Sequence, residues 1–171
     1  MSLSSGRVTS SVALLALTVW IGGLITLGAV VAPVVFASAP HAIAADAMTH
    51  VFARFDKVAM AAAAIVLATE AVRARVSGRL GAADIARALV TVALAGCAVA
   101  EGLWITPKIT DLHASGAMRG VGEAGASLDA AHALAEQLGK GSALLAVLLI
   151  ALHVATIGRT REAAVDIADR D

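Results

Sequence analysis

Charge, aromatic rings and cysteine are all scarce in this sequence. Only 15% of its 171 residues are Asp, Glu, Lys or Arg, against about 25% in an ordinary soluble domain. A water-facing shell needs more polar surface than that, which excludes a typical soluble enzyme and a disordered chain. Thirteen basic residues balance thirteen acidic ones, so no net field draws the chain to phosphates, and nucleic acid is excluded as a partner. The single cysteine, Cys97, excludes a disulfide framework and a cysteine-based zinc site. With 3% aromatic residues and no tyrosine, interface anchors are few. Trp104 stands where such an anchor belongs, and Trp20 lies deeper, as a packing residue. There is no nucleophile elbow, phosphate loop or dinucleotide fingerprint. Gly22-Gly23 sits inside an apolar run rather than after a strand.

Apolar residues dominate instead, at 59% of the chain with a mean hydropathy of +0.85. A helix needs about 20 apolar residues to cross a bilayer core of about 30 Å. The sequence predicts four such helices, at about 12–36, 52–72, 85–106 and 127–158. The first run, Val12 to Phe36, is too long for the 7–15-residue core of a secretory signal, despite Ala37-Ser38-Ala39 beyond it. Pro107 is expected to stop the third helix. The expected fold is all-α, an integral membrane four-helix bundle in a single domain, packed through its many Ala and Gly residues. Arg7, Arg73, Arg75, Arg79, Arg87, Arg159, Arg161 and Arg170 fall on one side of that topology. Arg54, Lys57, Lys108, Arg119 and Lys140 fall on the other. The positive-inside rule then puts both termini in the cytoplasm of a bacterial plasma (inner) membrane protein. The outer connections are Ala37 to Val51 and Pro107 to Ser127, the second expected to be mobile.

Glu101 is the one ionisable residue well inside a span, about 9 Å of helix short of Pro107. A carboxylate there is costly in lipid and is expected to face the interior and a partner, Lys140 or His132. His132, Glu136 and Lys140 repeat at four-residue spacing and share one stripe of the fourth helix, a polar interior lining or a solvated face. His41, His50, His113 and His132 gather on the outer side, with Met48 and Met118 nearby; His153 lies near the inner end. No tight metal-binding spacing occurs. Only His50 and His132 share a level from which two imidazoles could hold copper or haem iron. Asp56 is expected to pair with Arg54 and Lys57 at the interface, and Glu70 with Arg73.

Several short segments carry a family resemblance. Trp20-Ile21-Gly22-Gly23 and Ala32-Pro33-Val34-Val35-Phe36 resemble the first helix of TMEM205-like proteins, the DUF4149 domain. Val51-Phe52-Ala53-Arg54-Phe55-Asp56 resembles that family's entry to helix two, Pro107-Lys108-Ile109-Thr110-Asp111-Leu112 its third-helix exit, and Leu128-Asp129-Ala130-Ala131-His132 the segment before its last helix. The resemblance implies a small four-helix membrane protein of no established activity. It extends to the copper-resistance-D and membrane protoporphyrinogen-oxidase bundles, some of which bind haem or copper; that is analogy of fold. The leading expectation is a non-enzymatic membrane protein that moves or senses a small solute or ion, with no cofactor and lipid as its partner. The alternatives are a haem- or copper-binding protein and a structural, partner-binding bundle. Homo-oligomerisation is left open.

Overall fold

A computed structural model describes residues 3–77 and 81–168, with side chains for 8–76 and 81–156. The described residues are helical and contain no strand. They run in four continuous helical stretches. The first, α1, is α-helical over Leu3–Thr26, π-helical over Leu27–Val31 and α-helical again over Ala32–Ser38. The second, α2, is His41–Ser77. The third, α3, repeats the first pattern as Ala82–Ala100, a π-helical Glu101–Ile105 and Thr106–Ala114. The fourth, α4, is Gly122–Ala168. Each helix packs on its chain neighbour, and α1 also packs on α4.

Three stretches are long and apolar enough to cross a membrane: Val8–Ser38, Ala82–Ala114 and Gly122–Thr156. This marks the chain as a multi-pass membrane protein. The second helix falls outside that criterion among the described residues, because Arg54, Asp56, Lys57 and Glu70 interrupt its apolar run. The distribution of side chains inverts that of a soluble bundle. Leu15, Trp104 and Leu144 are 67%, 65% and 73% exposed, while Asp56, Glu70, Arg87 and His153 are buried. Apolar atoms turned outward suit lipid, and polar groups turned inward avoid it.

Both π segments have one local cause. Pro33 and Pro107 lack an N–H, and a proline ring collides with the carbonyl four residues earlier. Those carbonyls belong to Ala29 and Leu103, each inside a π segment. Widening the helix there absorbs the conflict without breaking the rod. The third helix therefore continues through Pro107 to Ala114, where local chemistry predicts a stop. The α3–α4 connection is shorter than the sequence suggests and is tied down. Its turn uses left-handed backbone at Gly116 and Gly120 (φ 79° and 74°), and Asp129 accepts hydrogen bonds from Arg119 Nε and Gly120 N at 2.6 and 2.9 Å.

The central core joins Leu17, Trp20, Val66, Leu94 and Leu149 with alanines from the same helices. A smaller cluster of Ile109, Leu128 and Ala131 closes the α3–α4 end. Close approach of α1 to α2 depends on one glycine of a pair. A Cβ on Gly23 would overlap the Phe55 ring, whereas nothing lies near that position at Gly22. Gly23→Ala is expected to destabilise by about 1–3 kcal/mol through overpacking. Gly22→Ala should be neutral or stabilising, by up to about 1 kcal/mol of helix propensity. Thermal unfolding of the two variants in detergent checks the contrast; equal effects would refute the packing argument.

Candidate functional site

The polar groups inside the bundle fall into two tiers. Glu70 and Asp56 are fourteen residues apart on α2, Arg87 and Glu101 fourteen apart on α3, and His153 and Gly139 fourteen apart on α4. At 1.5 Å per residue, each pair spans about 21 Å of helix. Cross-helix contacts join the members of each tier, so the spacing belongs to the bundle as a whole. The apolar core lies between the tiers.

The first tier centres on Arg87, 1% exposed. Its Nε donates to both oxygens of Glu70 at 2.9 and 2.8 Å, and its Nη2 donates to Asp84 Oδ1 at 2.8 Å. Its Nη1 reaches Thr156 Oγ1 at 3.4 Å. Arg73 Nη2 donates to Ser10 Oγ, and Arg73 Nε stands 3.8 Å from Glu70 Oε1. His153, fully buried, brings its Nε2 to 3.5 Å from the same oxygen. All four helices therefore contribute: Ser10 from α1, Glu70 and Arg73 from α2, Asp84 and Arg87 from α3, His153 and Thr156 from α4. Two carboxylates and two guanidiniums balance while His153 is neutral. From sequence, Arg87 counts only as a charge that sets orientation, and His153 only as a residue near the inner end of its helix. The spacing of Glu70 and Arg73 predicts their pairing, but the closer partner of Glu70 is Arg87 on the next helix.

The second tier is acidic. Asp56 is 7% exposed, and its Oδ2 accepts a hydrogen bond from the Thr106 hydroxyl at 2.6 Å. It is thus turned into the bundle rather than paired with Arg54 and Lys57. Gly102 lets α2 and α3 close here, since a Cβ on it would stand 3.0 Å from Met60 Cε and 3.4 Å from Asp56 Cβ. Glu101, half-buried at the start of the π segment, lies against α4, with Oε1 3.7 Å from where a Gly139 Cβ would be. Among the described residues neither Asp56 nor Glu101 has an ion-pair partner within 4.0 Å. One turn inward on α4, the buried Ser142 hydroxyl has no hydrogen-bond partner.

The remaining site residues expected from the sequence lie elsewhere. Lys140 pairs with Glu136 at 2.6 Å, both side chains largely exposed, and so does not meet Glu101. His132, on the same stripe of the helix, faces its ring to His113 of α3 with centroids 5.7 Å apart, and His113 Nδ1 lies 3.2 Å from Thr49 Oγ1. His50 is an exposed side chain whose nearest charged neighbour is Asp46 at 3.8 Å. The structure thus brings together His113 and His132 where the sequence pairs His50 with His132. No group of three His, Cys, Asp or Glu side chains among the described residues is arranged to hold a metal ion.

The buried ion pairs predict a measurable coupling. Arg87→Met leaves Glu70 facing the core without its closest cation and is expected to cost about 3–5 kcal/mol. Adding Glu70→Gln removes the stranded charge, so the double variant should lose less than the sum of the two singles, by about 0.5–3 kcal/mol. Unfolding of the four proteins in one detergent closes the cycle; simple additivity would show that the two groups do not interact.

Comparison with known proteins bears on the first three helices. The chain matches no curated protein and no solved structure. Residues 15–117 match a family described as Domain of unknown function (DUF4149). That region holds Gly23, Phe55, Asp56, Glu70, Arg87 and Glu101, so both tiers draw on it. It spans more than half of the sequence, and the chain belongs to the DUF4149 family.

Proposed function

We propose that this protein is a four-span, TMEM205-like protein of the bacterial plasma membrane whose interior carboxylates Asp56 and Glu101 bind a small cation or a proton, for transport or sensing. The observation that carries this reading is the acidic tier. Two carboxylates are turned into one level of a membrane protein, and among the described residues no basic side chain is within ion-pair distance of either. An uncompensated carboxylate at membrane depth is penalised by about 2.5–3.5 kcal/mol on the insertion scale, and bound ions or protons relieve that cost. Thr106 fixes one Asp56 oxygen, and the π segment beginning at Glu101 carries the kind of local widening often found at functional sites. The neighbouring Lys140 is neutralised by Glu136 on the surface and does not compete. The bilayer is the partner this reading requires. An ion taken up in this way needs no resident cofactor.

The test is ligand-linked stability of the purified protein across pH and with added lithium, sodium, potassium or calcium. An ion present at a hundredfold excess over its dissociation constant adds about 2.7 kcal/mol, roughly 5–10 °C in unfolding midpoint for a chain of this size. One of these ions, or the proton, should shift the wild-type midpoint, and Glu101→Gln or Asp56→Asn should abolish the shift. A wild-type midpoint indifferent to all of them, or variants that respond as wild type does, would overturn the reading.

The orientation is part of the proposal. Eight arginines against five basic residues put both termini and Arg73 to Arg87 in the cytoplasm. Of the eight, Arg79 and Arg170 lie outside the described residues, as do the side chains of Arg7, Arg159 and Arg161. In a Cys97→Ala background, a membrane-impermeant thiol reagent added to intact cells should label Ser115→Cys and spare Ser77→Cys. The opposite pattern would invert the topology.

A further inference from the structure

The basic tier holds three polar atoms that its ion pairs do not satisfy. Arg73 Nε, His153 Nδ1 and His153 Nε2 are buried and without a hydrogen-bond partner. Two of them face one oxygen. Arg73 Nε is 3.8 Å and His153 Nε2 3.5 Å from Glu70 Oε1, both too long for a good direct hydrogen bond. Polar contacts of that length are commonly bridged by water, and a water held in a protein interior makes about three hydrogen bonds to groups otherwise unsatisfied. Here a donor on Arg73 and a ring nitrogen on His153 both stand just beyond direct hydrogen-bond reach of one acceptor on Glu70. A single water about 2.8 Å from each would complete all three.

The uncommitted imidazole gives that water a role. A histidine kept for structure has at least one nitrogen fixed by a carbonyl or carboxylate, which sets its tautomer. His153 has neither nitrogen fixed. A neutral imidazole offers a lone pair on one nitrogen and an N–H on the other. With its lone pair toward the water, Nε2 can take a proton as a water O–H bond breaks, leaving hydroxide beside the Arg73 guanidinium, and return of a proton from Nε2 to that oxygen restores both the water and the neutral ring. The charged groups around it come from two neighbouring helices, Glu70 and Arg73 from α2, and Asp84 and Arg87 from α3. Ser10 of α1 and Thr156 of its own helix complete the polar ring. The resting cluster is balanced, so an exchange that returns its proton to the water leaves no lasting charge in the bundle. Asp84, with its side chain 29% exposed, connects the cluster to the aqueous rim.

We propose that the basic tier is a hydrated proton-transfer site, in which one water bound by Arg73, Glu70 and His153 exchanges protons with the His153 ring. This goes beyond ion binding at Asp56 and Glu101 and stands whether or not that pair binds an ion. The experiment uses full-length protein labelled with [15N]histidine in lipid nanodiscs, with His153 assigned by the signal missing from His153→Gln. Water-edited spectra should show transfer from water to a His153 ring nitrogen, and the ring N–H should exchange promptly when the solvent is changed to D2O. Arg73→Met removes one arm of the water site and should abolish the water transfer while the helical circular dichroism is retained. A wild-type His153 that receives no transfer from water, or whose N–H persists in D2O, would overturn the proposal even if the variant fails to fold. Water transfer unchanged in a folded Arg73→Met protein would also overturn it.

Discussion

The Arg87 guanidinium, held between Glu70 and Asp84 with Thr156 behind it, is the constraint on which the rest of this bundle depends. A buried cation is tolerated only where its charge and its N–H groups are met in good geometry. Meeting them here requires α2, α3 and α4 to hold one register, and Arg73 on Ser10 extends the requirement to α1. Apolar surface can slide on apolar surface in lipid with little loss, because the solvent is as apolar as the helices. A guanidinium held between two carboxylates cannot slide. The network therefore supplies the positional specificity that alanine-rich packing lacks.

Once that register is set, the helical rise places a second level about 21 Å away. Asp56, Glu101 and Gly139 meet there because each lies fourteen residues from a member of the first tier. The two levels differ in kind. One is balanced and rich in donors; the other has carboxylates with no cation within ion-pair distance among the described residues. Between them lies an apolar core of Leu17, Trp20, Val66, Leu94 and Leu149. The geometry separates an acidic end from a basic, hydrogen-bonding end by an apolar stretch.

Small residues and prolines shape the acidic end. Gly23 admits Phe55, and Gly102 admits Met60 and the Asp56 backbone region, so α2 sits close to both α1 and α3. Close packing of this sort replaces the hydrophobic drive that is missing in lipid. Pro107 forces the π segment that begins at Glu101, and the widened turn helps place that carboxylate against Gly139. Pro33 produces the same device in α1. The two odd-numbered helices thus carry equivalent distortions, each followed by a short α-helical continuation.

The sequence by itself determined the class of protein and its helical content. Long uncharged runs and a low fraction of charge leave a chain no soluble alternative. Glu101 was legible as an interior residue because one carboxylate in an apolar span stands out, and the quoted motifs pointed to the DUF4149 family. The partners were not legible. Arg87 looks like an orientation signal, Asp56 like an interface charge beside Arg54 and Lys57, and His153 like a residue at a helix end. Arg87 and Asp56 are each bonded to a residue of another helix, and His153 stands beside Glu70 of α2; local spacing carries no information on inter-helix register. Lys140 shows the same limit: four-residue spacing gives it Glu136, which is near at no cost in register, whereas Glu101 would have to be reached across the bundle. Pro107 reads as a stop, yet packing of Thr106–Ala114 against α2 and α4 holds the helix together through a π segment. Tertiary structure alone decided these points, because a buried charge takes the partner that the assembled helices bring to its level.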